Sequence, residues 1–205
     1  MLDKWNKAQE WEQDWHGDCT NSYHEEEKQL VYAEKMGLEF TQTPKTPYNI
    51  DLAGTNVLDI GGGAYSLLLK CVGYNMACVA DPLMDKFPEW VRKRYESARI
   101  ITLGVAGENL TAETFGEVMF NEVWIYNVLE HTIDPKKLVE AALELGNIVR
   151  IFEWLETREN IGHPHTLHEK ELNEWLGGKG KTETIRRGGA NGLAYFGVFK
   201  GRNFT

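Results

Sequence analysis

Cysteine and proline are scarce in this chain of 205 residues, which has three of the first and six of the second. Cys19, Cys71 and Cys78 are odd in number and lack the paired spacing of a zinc site, so neither a disulfide framework nor a cysteine metal centre is expected. Cys71 and Cys78 flank a short apolar run and read as reduced, buried fillers. Positive charge is in the minority: 22 Lys and Arg stand against 31 Asp and Glu, a formal net charge of -9. That balance excludes a global basic face and argues against nucleic acid as a partner, because phosphate contacts need one. No apolar run reaches the roughly 18 residues of a transmembrane helix, so no membrane partner is expected. The opening Met1-Leu2-Asp3-Lys4-Trp5-Asn6 has no basic region followed by an apolar stretch, so no secretory signal is expected. Together these absences point to a cytoplasmic compartment. Internal repeats and low-complexity tracts are missing as well.

What is present is enough for one full domain with a modest appendage. Residues 1 to about 40 are polar and helical in pattern, with Trp11 and Trp15 four apart on one helix face. A second helix is expected from Ser22 to Met36, stopped by Gly37. Thr41 to Pro47 holds two prolines and reads as a connector. Residues 1–48 are therefore expected to form an N-terminal helical cap, and 49–205 the main domain.

From residue 55 short apolar runs alternate with helical segments. Strands are expected at Asn56–Ile60, Met76–Ala80, Arg99–Leu103, Glu122–Tyr126 and Asn147–Phe152. Helices are expected at Ala64–Val72, Phe87–Glu96, Pro135–Leu145 and His168–Leu176. This alternation is the signature of a mostly parallel sheet covered by helices, an α/β fold. Two last strands, near Thr182–Arg186 and Leu193–Lys200, are split by a glycine-bearing turn and read as a closing hairpin.

Gly61, Gly62 and Gly63 sit where the first strand hands over to the first of those helices. Glycine there permits positive φ and lets a ligand approach the backbone. Asp81 ends the next strand, 20 residues after Gly61, where a dinucleotide-type fold places the carboxylate that binds ribose hydroxyls. Ser66 occupies the place of the sixth-position glycine of a dinucleotide fingerprint, and Asp59 precedes the turn. A carboxylate there suits a cationic ligand and repels a pyrophosphate.

Val57-Leu58-Asp59-Ile60-Gly61-Gly62-Gly63, then Asp81, then Asn127 to Pro135, resembles class I S-adenosylmethionine-dependent methyltransferases, of the group acting on small molecules. The resemblance covers about residues 50 to 200. It implies a Rossmann-like seven-stranded sheet of order 3-2-1-4-5-7-6 with strand 7 antiparallel, S-adenosylmethionine as cofactor and a small-molecule acceptor methylated at oxygen or nitrogen. It further implies that Asp59 and the Gly61–Gly63 backbone flank the methionine part of the cofactor, and that Asp81 holds the ribose. Pro82 and Leu83 would touch adenine, and Asn127 and Val128 would line the methionine end. Ala106 falls where the family usually has an acidic residue, leaving Gly107 or Glu108 to meet the adenine amino group.

On the acceptor side, His131 has the chemistry of a general base, although this position in the family also packs beside the cofactor. Glu130 and Asp134 read as caps for the helix at Pro135. His163, His165 and His168 follow the fifth strand, and one of these three is expected to contact substrate, His163 and His165 being the candidates for a catalytic role. Without an acidic or cysteine partner at convincing spacing, no metal site is expected. Thr166 and Glu169 offer a capping box for the next helix. Trp5, Trp11, Trp15 and Tyr23 either pack the appendage onto the domain or belong to a lid, and Glu25-Glu26-Glu27 reads as a solvated face. Two other readings stay open: a non-catalytic binding protein on the same fold, and a nicotinamide oxidoreductase.

Overall fold

Most apolar runs in this chain are long enough for strands and too short for helices, and the fold follows from that. The structure, a computed structural model, describes residues 2–17, 19, 22–41, 49–116, 118–187 and 190–203. In chain order the elements are α1 (Leu2–His16), α2 (Ser22–Lys35), β1 (Phe40–Thr41), β2 (Asn49–Asp51), β3 (Asn56–Ile60), β4 (Cys71–Val72), β5 (Met76–Ala80), α3 (Glu89–Ser97), β6 (Ile101–Leu103), β7 (Phe120–Tyr126), α4 (Pro135–Leu145), β8 (Gly146–Leu155), α5 (Glu169–Trp175), β9 (Lys181–Arg187) and β10 (Ala190–Lys200). Of the expected connector over 41–47, all but Thr41 lies outside the described residues, as do 188 and 189 of the hairpin turn.

The main sheet has seven strands in the order β6-β5-β3-β7-β8-β10-β9. Numbered within the sheet, this is the expected 3-2-1-4-5-7-6. Neighbouring strands from β6 to β8 run parallel, with Leu58 opposite both Cys78 and Val123. β10 is antiparallel to β8 (Phe196 opposite Phe152) and to β9 (Leu193 opposite Thr184).

Strand alternation sends Val57 and Asp59 to one face and Leu58 and Ile60 to the other. The first face buries Val57, Val79, Trp124, Phe152 and Trp154 against α2 (Tyr32, Ala33), Met36 just after it, and α3 (Val91, Tyr95). The second buries Leu58, Ile60, Ile125 and Ile151 against α4 (Leu138, Val139, Ala142) and α5 (Leu172). α4 starts as expected: Asp134 accepts from the Lys137 N–H at 3.0 Å, and Pro135 takes the first turn. All three cysteines are free and buried.

Two local expectations are corrected. The helix expected over Ala64–Val72 is absent; a 3-10 turn at Leu67–Lys70, capped by the Ser66 hydroxyl, leads straight into β4. β4 pairs with β2 (Ile50 opposite Cys71) in a small sheet with β1, and Gly73 at φ 73° turns the chain back before a helix could lengthen. The Thr166 and Glu169 capping box does not form. His168 is the N-cap of α5, and the Thr166 hydroxyl donates instead to the Thr157 carbonyl at 2.9 Å.

α2 is tied into the first face. Tyr32 stacks on Phe152 with ring centres 4.3 Å apart, and Lys35 reaches Glu183 at 2.6 Å. Arg150 of β8 bridges Glu122 (2.7 Å) and the Met36 carbonyl (2.8 Å). Arg150→Met would leave a largely buried Glu122 without its cation and the end of α2 without its clamp. Unfolding in urea should report a loss of about 2 kcal/mol.

Candidate functional site

The carboxyl ends of β3, β5 and β7 open onto one cavity of about 350 Å³, roofed by α1. Gly61, Gly62 and Gly63 after β3, Asp81, Pro82 and Leu83 after β5, Ala106, Gly107 and Glu108 after β6, and Asn127 and Val128 after β7 all line it. This is where an open α/β sheet places a ligand.

The glycine turn depends on left-handed backbone. Gly61 has φ 78° and Gly63 φ 59°. A Cβ on Gly61 would stand 2.3 Å from a Val128 methyl, whereas one on Gly63 would meet nothing nearer than His16, at 3.9 Å. The open side of Gly63 is therefore the cavity itself. Asp81 is buried, and each of its oxygens accepts one backbone N–H, from Gly63 (3.0 Å) and from Leu83 (2.8 Å). Carboxylate oxygens accept more than one donor, so each keeps capacity on the cavity side. Burial raises the Asp81 pKa against those two hydrogen bonds. Asn127 takes φ 55° as it leaves β7, an uncommon conformation for a side-chain-bearing residue and one that asparagine tolerates.

Asp59 is placed otherwise than expected. It is fully buried behind the turn and does not line the cavity. The Ser66 hydroxyl donates to its Oδ2 at 2.5 Å, and the Tyr126 hydroxyl donates to the same oxygen. Ser66 also donates its N–H to Tyr95, whose hydroxyl donates to the Gly63 carbonyl at 2.7 Å. Asp59 thus organises the glycine turn from below. Burial pushes its carboxyl up to about 7, against the hydrogen bonds from Ser66 and Tyr126.

The histidines separate. His131 and His163 line the cavity with ring centres 4.8 Å apart; His165 does not, because its Nε2 is bonded to the Thr132 carbonyl at 2.8 Å. His131 Nδ1 lies 2.9 Å from Glu12 of α1 and 2.8 Å from the Gly162 carbonyl. Both partners accept, so Nδ1 carries a proton. Burial opposes the charge on this ring, but Glu12 foremost, then Glu130 and Glu153, outweigh it and push His131 up to about 9. Glu12 is held below its usual range, with burial overcome by His131.

Glu130, His131 and His163 bring three ligand-type atoms within 4.8 Å of one another. The orientation of His163 speaks against a metal there. Asn160 Oδ1 accepts from the backbone N–H of Gly162 (2.9 Å) and His163 (3.1 Å), so its Nδ2 must be the atom donating to His163 Nδ1 at 2.9 Å. A neutral His163 then carries its proton on Nε2, which faces Glu130 at 3.4 Å. That nitrogen has no lone pair for an ion.

Several residues of the site were not singled out in the sequence, among them Glu153, Gln9, Glu12 and His16. Glu153 of β8 is fully buried and accepts from the Val128 (3.0 Å) and Leu129 (3.1 Å) N–H groups, shaping the loop after β7. Its signal was a lone acid inside an apolar strand. Gln9, Glu12 and His16 of α1 face the cavity with Trp5, and only helical spacing on a polar helix marked them.

The Glu12–His131 pair fastens α1 over the cavity. The raised His131 pKa means that its stabilisation is complete below the unfolded value of about 6.5 and is lost as pH rises through about 9. The shift corresponds to about 3 kcal/mol. Urea unfolding followed across pH 7 to 10 should show that loss in the wild type and a flatter profile in His131→Asn.

No protein-family model matches the sequence, and no curated protein matches it. Solved structures do resemble it. The 1,6-didemethyltoxoflavin-N1-methyltransferase of Burkholderia thailandensis, with its substrate and S-adenosylhomocysteine bound, is 15% identical and superposes with a TM-score of 0.60 over 98% of this chain and 88% of its own. Magnesium protoporphyrin IX methyltransferase of Synechocystis, with S-adenosylmethionine bound, is 14% identical with a TM-score of 0.53, over 73% of this chain and 71% of its own. The cyclase SpnF is 14% identical with a TM-score of 0.55, over 83% of this chain and 79% of its own. At such identities the likeness establishes the fold: this chain has the class I S-adenosylmethionine methyltransferase fold.

Proposed function

We propose that the chain is an S-adenosylmethionine-dependent methyltransferase acting on a small molecule by direct in-line transfer. One observation carries this reading: Asp81, with acceptor capacity left on both oxygens, shares a cavity with a glycine turn whose open side has room for a ligand. The donor set suits the cofactor. Asp81 would hold the ribose hydroxyls, Pro82 and Leu83 the adenine faces, and Gly107 and Glu108 its edge. The backbone of Gly61 to Gly63, with Asn127 and Val128, would flank the methionine part. Asp59 acts through the turn and not by contact. The cofactor supplies a methyl group already activated on a sulfonium.

The chain's share of the work is alignment and exclusion of water. α1 covers the reacting end with Trp5, Trp11 and Glu12 and serves as the cap of the site. The acidic balance of the chain disfavours a polyanionic acceptor such as nucleic acid. The toxoflavin methyltransferase, whose likeness extends over the N-terminal helices, favours a small-molecule acceptor.

The fold also serves a cyclase, so binding and transfer need separate proof. Release of S-adenosylhomocysteine from S-adenosylmethionine only when a small-molecule acceptor is added is the expected outcome. Binding of the cofactor with no turnover over a broad acceptor panel would make the chain a non-catalytic binder.

A further inference from the structure

The acceptor end of the cavity holds Trp5, Gln9, Trp11, Glu12, His131 and His163. Neither histidine offers a lone pair to a substrate. His131 keeps a proton on Nδ1 between Glu12 and Gly162, and its charged ring keeps another on Nε2, which faces Glu130 at 3.8 Å. His163 receives the Asn160 amide on Nδ1 and directs Nε2–H towards Glu130. Glu12 is held below its usual range by His131, which makes it a poorer base for a hydroxyl group.

An alcohol or phenol must give up its proton as its oxygen is methylated. A neutral nitrogen need not, because its lone pair forms the bond to carbon directly. Alkyl amines arrive protonated at neutral pH and have no such lone pair, whereas aryl amines and ring nitrogens arrive neutral. A second observation points the same way. Gln9 is 8% exposed and lines the cavity, yet its side-chain oxygen is buried with no hydrogen-bond partner. A buried acceptor left unmatched is costly, and a turn of the Gln9 amide towards the cavity would let an N–H of the occupant satisfy it.

Building on the methyltransferase reading, we propose that the atom methylated is a weakly basic nitrogen of an aryl amine or planar nitrogen heterocycle, seated against Trp5 and Trp11 with an N–H towards Gln9. The nitrogen lone pair forms the N–C bond while the C–S bond breaks and its electron pair stays on sulfur. Positive charge moves from sulfur to nitrogen, where the carboxylates of Glu12 and Glu130 offset it. A proton on that nitrogen then leaves through Glu12 to water. Flat aromatic walls beside carboxylates suit such a cationic product.

The test uses methyl-13C-labelled S-adenosylmethionine with two probe sets: aniline, benzimidazole and 2-aminopyridine, and phenol, benzyl alcohol and 2-naphthol. Carbon NMR of the products separates N-methyl from O-methyl groups. N-methyl products alone are expected. Gln9→Leu should lower kcat/KM for the nitrogen probes about tenfold while S-adenosylhomocysteine affinity stays within about twofold. O-methyl products would overturn the proposal, and so would transfer to neither set by protein that binds S-adenosylhomocysteine. Failure to bind S-adenosylhomocysteine would instead strike the methyltransferase reading beneath it.

Discussion

Replacing Asp81 with alanine should weaken S-adenosylhomocysteine binding at least about 100-fold, the equivalent of roughly 3 kcal/mol. Two losses combine. The hydroxyl donors of the ribose lose a buried carboxylate, a charge-assisted contact of about 1.5–3 kcal/mol. The Gly63 and Leu83 N–H groups lose their acceptors as well, so both the glycine turn and the adenine side relax. Calorimetric affinities of wild type and variant, taken after circular dichroism has shown both folded, measure the effect. Unchanged affinity would remove the ribose from Asp81.

Gly61→Ala should destabilise the fold by about 4 kcal/mol. Its backbone sits at φ 78°, where a Cβ costs about 1–2 kcal/mol. The added methyl would also lie 2.3 Å and 2.7 Å from the two Val128 methyl carbons, which would have to shift to admit it. The two causes can be separated. In the Gly61→Ala/Val128→Ala double variant the steric part should disappear and about half the loss return, read from urea midpoints as a coupling between the two sites. An additive pair would mean that the clash is not the cause.

The strands of the main sheet were legible in the sequence because each apolar run is bounded by polar or glycine-bearing segments; their order was implied by the family resemblance, with which the terminal hairpin agreed. The small sheet was not legible. β1 and β4 have two residues each and β2 three, too short for any period to register. The same shortness hid the replacement of a helix after Ser66. Helix α2 was visible as a helix, but its burial was not: Tyr32 and Ala33, with Met36 just after it, are hidden under Trp124, Phe152 and Trp154, so it forms part of the sheet's covering layer.

The site divided along similar lines. Residues in sequence contact with a strand end, from Gly61 to Gly63 and Asp81 to Leu83, could be placed together because the fold places those ends together. Asp59 could not be placed by motif alone, since strand alternation decides whether its side chain faces a ligand or the core; it faces Ser66 and Tyr126. His165 and His163 are two residues apart on an irregular loop with no period to assign their faces. Glu12 lies 119 residues from His131, and nothing local joins them.

Calorimetric titration of the wild-type chain with S-adenosylhomocysteine, beside a parallel titration with NAD, tests the cofactor assignment most directly. One-to-one binding of S-adenosylhomocysteine with no heat from NAD is the expected result. Binding of NAD alone, or of neither ligand, would contradict it.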